Sequence, residues 1–97
     1  MRHFYRSHLT PEQVLTLADA FFPTIEEKCT ASLARSRTFA GPLGTLLLSV
    51  KSEGGHYTFV EIDTDQMGES RLDRNAKKFY VGLHRAEDPA TTLAASF

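Results

Sequence analysis

Residues 44–65 read GTLLLSVKSEGGHYTFVEIDTD, two runs rich in leucine, β-branched and aromatic residues on either side of a Glu53-Gly54-Gly55 corner. Each run alternates apolar and polar side chains, the period of a strand with one buried face, and paired glycines supply the positive φ that a tight corner requires. A β-hairpin follows. Its register is set by which side chains would face each other. A two-residue loop would put Leu48 opposite Glu61 and Leu46 opposite Asp63, setting carboxylates among core leucines. A three-residue loop over 53–55 instead pairs Val50 with Thr58, Leu48 with Val60 and Leu46 with Ile62, and gives Gly55 the left-handed bulge position. The opposite face then pairs Lys51 with Tyr57, Ser49 with Phe59 and Leu47 with Glu61, and is half apolar.

Upstream of the hairpin, Gly41-Pro42-Leu43-Gly44 is a turn, so residues 28–39 are expected to form a strand antiparallel to 45–51 and complete a three-stranded meander. Arg35 and Arg37 share the parity of Cys29, Ala31 and Leu33, which implies a bulge or an end running into solvent after Leu33. Further upstream, Thr10-Pro11-Glu12-Gln13 is a capping box with proline at the first helical position, and Leu9 and Val14 have the spacing of a hydrophobic staple. A helix over 11–22 follows, its apolar stripe formed by Val14, Leu17, Ala18 and Phe21 and its end set by Pro23. Residues 3–7 form a short N-terminal strand. Downstream, Ser70-Arg71-Leu72-Asp73 opens a second helix over 70–86, with Leu72, Ala76, Phe79 and Leu83 on one stripe and an Asp73–Lys77 pair on the solvent side. Residues 88–97 read as a flexible tail. The fold class is α+β, an antiparallel three-stranded meander with a short fourth N-terminal strand, in the order β-α-β-β-β-α.

A chain of 97 residues with a formal net charge of −1 is a single domain burying roughly 60–65% of its unfolded surface. Its charge balance excludes a molecule that is electrostatically a nucleic-acid or polybasic membrane binder. The single Cys29 forms no intrachain disulfide and is expected to pack as a small buried hydrophobe. The opening MRHFYRSHL contains no signal peptide or membrane span, so a cytoplasmic location is expected.

No motif in the chain signals a cofactor. Asp63-Thr64-Asp65-Gln66-Met67-Gly68 begins like a calcium loop, but methionine stands fifth and the twelfth position, which needs a bidentate glutamate, is Arg74; no metal site is expected. Glu53, His56 and Tyr57 gather a carboxylate, an imidazole and a phenol at the corner, a weak acid-base set to which Asp63 could be added. Arg71, Arg74, Lys78 and Arg85 share a narrow arc of the second helix, with Val81 in its middle, a stripe that can hold phosphates or an acidic partner. Without stacking aromatics or a glycine-rich phosphate loop, nucleic acid is not the favoured ligand. Leu47, Tyr57 and Phe59 are left on the second face of the sheet if both helices cover the first, and grouped exposed aromatics mark a partner or ligand surface.

This element order resembles a shortened version of the helix-grip architecture of START and Bet v 1-like proteins, which hold apolar ligands between a curved sheet and the last helix. The likeness is one of element order, with too few strands to close the usual cavity. The expected function is a non-enzymatic binding or interaction module, homodimeric, that meets its partner or a small apolar ligand through Leu47, Tyr57 and Phe59 or through the cleft between the sheet and Leu72, Phe79 and Leu83. The alternatives are a small enzyme built on His56 and a polyanion binder built on the basic stripe.

Overall fold

The computed structural model describes residues 1–87, and the expected tail over 88–97 lies outside them. Its elements run β1 (Arg2–Ser7), α1 (Pro11–Phe21), a 3₁₀ turn (Phe22–Ile25), β2 (Lys28–Leu33), β3 (Ser36–Gly41), β4 (Gly44–Glu53), β5 (Tyr57–Thr64) and α2 (Arg71–Glu87). The strands form one antiparallel sheet in the order β1-β5-β4-β3-β2.

Both helices start where the side chains dictate. Thr10 Oγ1 accepts from the Gln13 N–H at 3.2 Å while Gln13 Oε1 accepts from the Thr10 N–H at 2.9 Å, so two otherwise orphaned donors are satisfied reciprocally. At α2, Ser70 Oγ accepts from the Asp73 N–H at 3.0 Å. The first helix passes into the 3₁₀ turn at Pro23, and Glu26, at φ 65°, turns the chain toward β2.

Two expectations about the strands change. The stretch 28–39 is two strands: the chain reverses at Ala34-Arg35, Leu33 pairs with Ser36, and the bulge lies earlier, between Cys29 and Ala31. What the parity change after Leu33 marks is therefore a turn, made without glycine or proline. Cys29 consequently lies on the outermost strand, exposed, beyond the reach of the helices. In the central hairpin Glu53 pairs with Tyr57, Val50 with Val60, Leu48 with Ile62 and Leu46 with Thr64. The loop is thus Gly54-Gly55-His56, with both glycines at positive φ, and the register differs by two residues from the expected one. A shift of two preserves the face on which every side chain lies, so the apolar side stays apolar.

That side carries the core. Leu46, Leu48, Val60, Ile62 and Phe39 from the sheet meet Val14, Ala18 and Phe22 from the first helical segment and Leu72, Ala76, Phe79 and Leu83 from α2, all buried. The Phe22 ring is the hub, 4.9 Å from Phe39 and 5.3 Å from Phe79 between centroids. Each of these large side chains contributes about 1.5–3 kcal/mol by leaving water. The helices lie side by side on one face, and the sheet's other face bears neither of them.

Candidate functional site

The uncovered face is built from rows running across the strands. Arg2, Asp63 and Leu47 form one row, Phe4, Glu61 and Ser49 the next, then Arg6, Phe59 and Lys51, and last Tyr57 with Glu53. The Phe4 and Phe59 rings are 5.4 Å apart, and the Arg6 guanidinium sits 5.2 Å above the Phe59 ring. Arg6 Nε also donates to Glu53 Oε1 at 3.1 Å, and Arg2 Nε to Asp63 Oδ1 at 2.8 Å. Phe4 is 54% exposed, Tyr57 44% and Leu47 43%. Of the residues expected on this face, Tyr57 and Phe59 join one aromatic patch, whereas Leu47 is separated from it by the Glu61–Ser49 pair. Phe4 completes the patch, and its place on an alternating N-terminal strand was the signal that could have found it.

At the corner His56 is exposed, its N–H donating to the Glu53 carbonyl at 3.2 Å. The Glu53 carboxylate is held by Arg6. Asp63 is six residues along β5 from Tyr57, about 20 Å at the rise of a strand, and is engaged by Arg2. The structure therefore does not bring Asp63 to His56. It brings His8 instead: the His8 ring lies 5.1 Å from that of Tyr57, and a hollow of about 130 Å³ is lined by His8, Thr10, His56 and Tyr57. Among the described residues, neither imidazole receives a side-chain hydrogen bond that would orient it as a base.

The expected ligand residues Leu72, Phe79 and Leu83 are buried in the core, packed between α2 and the sheet. The room beside them lies on the outer side of the helix layer. A groove of about 550 Å³ between the helices is lined by Leu17, Ala20 and Phe21 on one wall and by Lys78, Gly82 and Arg85, with Phe79, Val81 and Leu83, on the other. An adjoining hollow of about 460 Å³ continues it past Thr24 and Ile25 to Arg71 and Asn75. Arg71, Lys78 and Arg85 of the basic stripe thus border this groove and its adjoining hollow, with Arg74 exposed on the adjacent arc.

Two buried acids escaped the sequence reading. Asp73 does not pair with Lys77, which contacts Glu69. It is fully buried and receives Ser70 Oγ at 2.6 Å, Thr64 Oγ1 at 2.8 Å and His3 Nε2 at 2.7 Å. Burial pushes this carboxyl up, but the bonds from Ser70, His3 and Thr64 outweigh it and hold the group at about 2. Glu27, also fully buried, has neither carboxylate oxygen hydrogen-bonded. Burial raises it above the usual range, the nearby Leu43 N–H opposes this without reaching bonding geometry, and the Asp65 charge adds to the rise. The burial of these acids was not visible in the sequence: Ser70 is local to Asp73, but His3 and Thr64, and Gly41, Leu43 and Asp65 near Glu27, come from other segments.

Among the described residues no group of three or more histidine, cysteine, aspartate or glutamate side chains is arranged to hold a metal ion, and no helix is long and apolar enough to cross a membrane. Set against known protein families and against curated proteins, the sequence finds no match.

Proposed function

We propose that this protein is a non-enzymatic interaction module of the cytoplasm that self-associates through its open sheet face. The observation that carries the reading is the placement of both helices on one side of the sheet, which leaves Phe4, Tyr57 and Phe59 grouped on the other. Grouped exposed aromatics are uncommon on isolated monomers. A second copy suits this surface because its charges balance: Arg2, Arg6 and Lys51 are interspersed with Glu53, Glu61 and Asp63, so an isologous contact meets no excess of like charge.

Sedimentation velocity at high micromolar concentration tests the reading. The expected result is a dimer that Phe59→Asp converts to monomer with an unchanged thermal melt. A wild-type monomer whose behaviour Phe59→Asp does not alter would remove it. A second reading, acid-base catalysis at the corner, is supported by the approach of His8 to Tyr57 beside His56. It predicts that any turnover found in a substrate screen falls in His56→Ala, and a turnover insensitive to that change would end it.

A further inference from the structure

On α2, residues 71, 75, 78, 82 and 85 step by four and three, the spacing of a seam between paired helices. Lys78, Gly82 and Arg85 line the groove between α1 and α2, and Arg71 and Asn75 line the adjoining hollow beside the 3₁₀ turn, which Glu26 also borders. Arg71, Lys78 and Arg85 recur at every seventh position, about 10 Å apart along the axis. None of them pairs with a carboxylate among the described residues. Between them stand Asn75, whose amide turns inward to the Arg71 carbonyl at 2.8 Å, and Gly82.

Gly82 is a residue that the fold does not need. A glycine inside a helix costs about 0.5–1 kcal/mol relative to alanine. Its φ is not positive, and a Cβ at this position would meet no atom within 4 Å. The missing side chain leaves a notch in the furrow between Lys78 and Arg85, opposite Leu17 and Phe21 of α1. Small residues on a helix face permit close approach of another helix.

We infer that this furrow docks an acidic amphipathic helix of a partner protein, its carboxylates meeting Arg71, Lys78 and Arg85 and its apolar stripe seated on Leu17, Phe21 and Val81 over the Gly82 notch. The site lies on the helix layer, away from the sheet face, and is independent of self-association there. Charge complementarity selects the occupant. A second copy pairing through the same furrow would set the row Arg71, Lys78 and Arg85 against the same cationic row of the other copy. A nucleic-acid backbone would satisfy the cations but leave the apolar wall of Leu17, Ala20 and Phe21 in water.

The test uses the full chain and two labelled helical peptides of about three heptads, one with leucine at the seam and glutamate beside it, the other with lysine replacing each glutamate. By fluorescence anisotropy the acidic peptide binds and the basic one does not, and added salt weakens the complex. The pair Lys78→Glu and Arg85→Glu lowers affinity by at least about tenfold. Gly82→Leu, which fills the notch, abolishes binding while circular dichroism still reports a folded protein. Equal binding of both peptides, or affinity unchanged in both variants, overturns the proposal. Self-association lost in Gly82→Leu without peptide binding would assign the furrow to a second copy. Salt-sensitive retention of single-stranded RNA, lost in the charge-reversed pair, without peptide binding, would assign it to nucleic acid; either outcome also overturns the proposal.

Discussion

His3 Nε2 lies 2.7 Å from Asp73 Oδ1, joining the first strand to the first turn of the last helix across 70 positions of sequence. The same carboxylate caps α2 through Ser70 and takes the Thr64 hydroxyl from the end of β5, so strand, sheet and helix meet at one buried acid. Its folded value of about 2 is below that of an unfolded aspartate, about 3.9. A depressed carboxyl stabilises the fold above the unfolded value and loses that contribution as pH falls through the folded one. Urea denaturation at pH 7 should find Asp73→Asn less stable by about 2 kcal/mol. The gap should close as pH falls from about 4 to about 2, and a gap independent of pH would contradict this role.

Glu27 gives the opposite sign. Its raised folded value means that the unfolded chain ionises first, so stability is lost as pH rises from the ordinary glutamate range toward the folded value. Glu27→Leu removes a buried carboxyl that has no hydrogen bond and should raise stability at pH 7 by about 1–3 kcal/mol, with a smaller gain at pH 4. Thermal melts at the two pH values measure the difference.

Two glycines should respond in opposite ways to alanine. At Gly41 a Cβ would lie 2.2 Å from the Glu26 carbonyl oxygen and 2.5 Å from Glu27 Oε2. The first contact is with backbone and cannot rotate away, so Gly41→Ala should cost about 1–3 kcal/mol. Gly82→Ala meets open space and should gain about 0.5–1 kcal/mol. Chemical denaturation of both variants separates them by sign.

Cys29 sits exposed on the edge strand. Its thiol should react with a small aromatic disulfide in the native protein about as fast as in denaturant. Protection of the native thiol would place it in an interface along β2.

The sequence made legible whatever is decided within a few residues. Thr10-Pro11 and Ser70-Asp73 fix the helix starts because capping is a contact over one turn, and alternation in 46–50 and 58–62 fixes which sheet face is buried. The hairpin register was not legible: apolar alternation has a period of two, and a shift of two residues satisfies it equally well. The two registers differ in every pair, from the closing Glu53–Tyr57 to Leu46–Thr64, yet bury the same face. The Ala34-Arg35 reversal lacks glycine and proline, so its sole trace was the parity change that also fits a bulge. The furrow was half visible, since the periodicity of α2 placed Arg71, Lys78 and Arg85 on one arc, but α1 as its other wall comes from tertiary packing. His3 with Asp73, and Glu27 beneath Gly41, were beyond reach for the same reason.

The lacing of β1 to α2 bears on how the chain folds. His3 binds Asp73, Tyr80 Oη donates to the His3 carbonyl at 2.8 Å, and the Glu87 carboxylate receives both Tyr5 Oη and the His8 N–H. β1 therefore completes its contacts only once α2 is formed as far as Glu87. Until α2 docks, the edge strand lacks these anchors, so the seating of β1 and the docking of the last helix are one cooperative step.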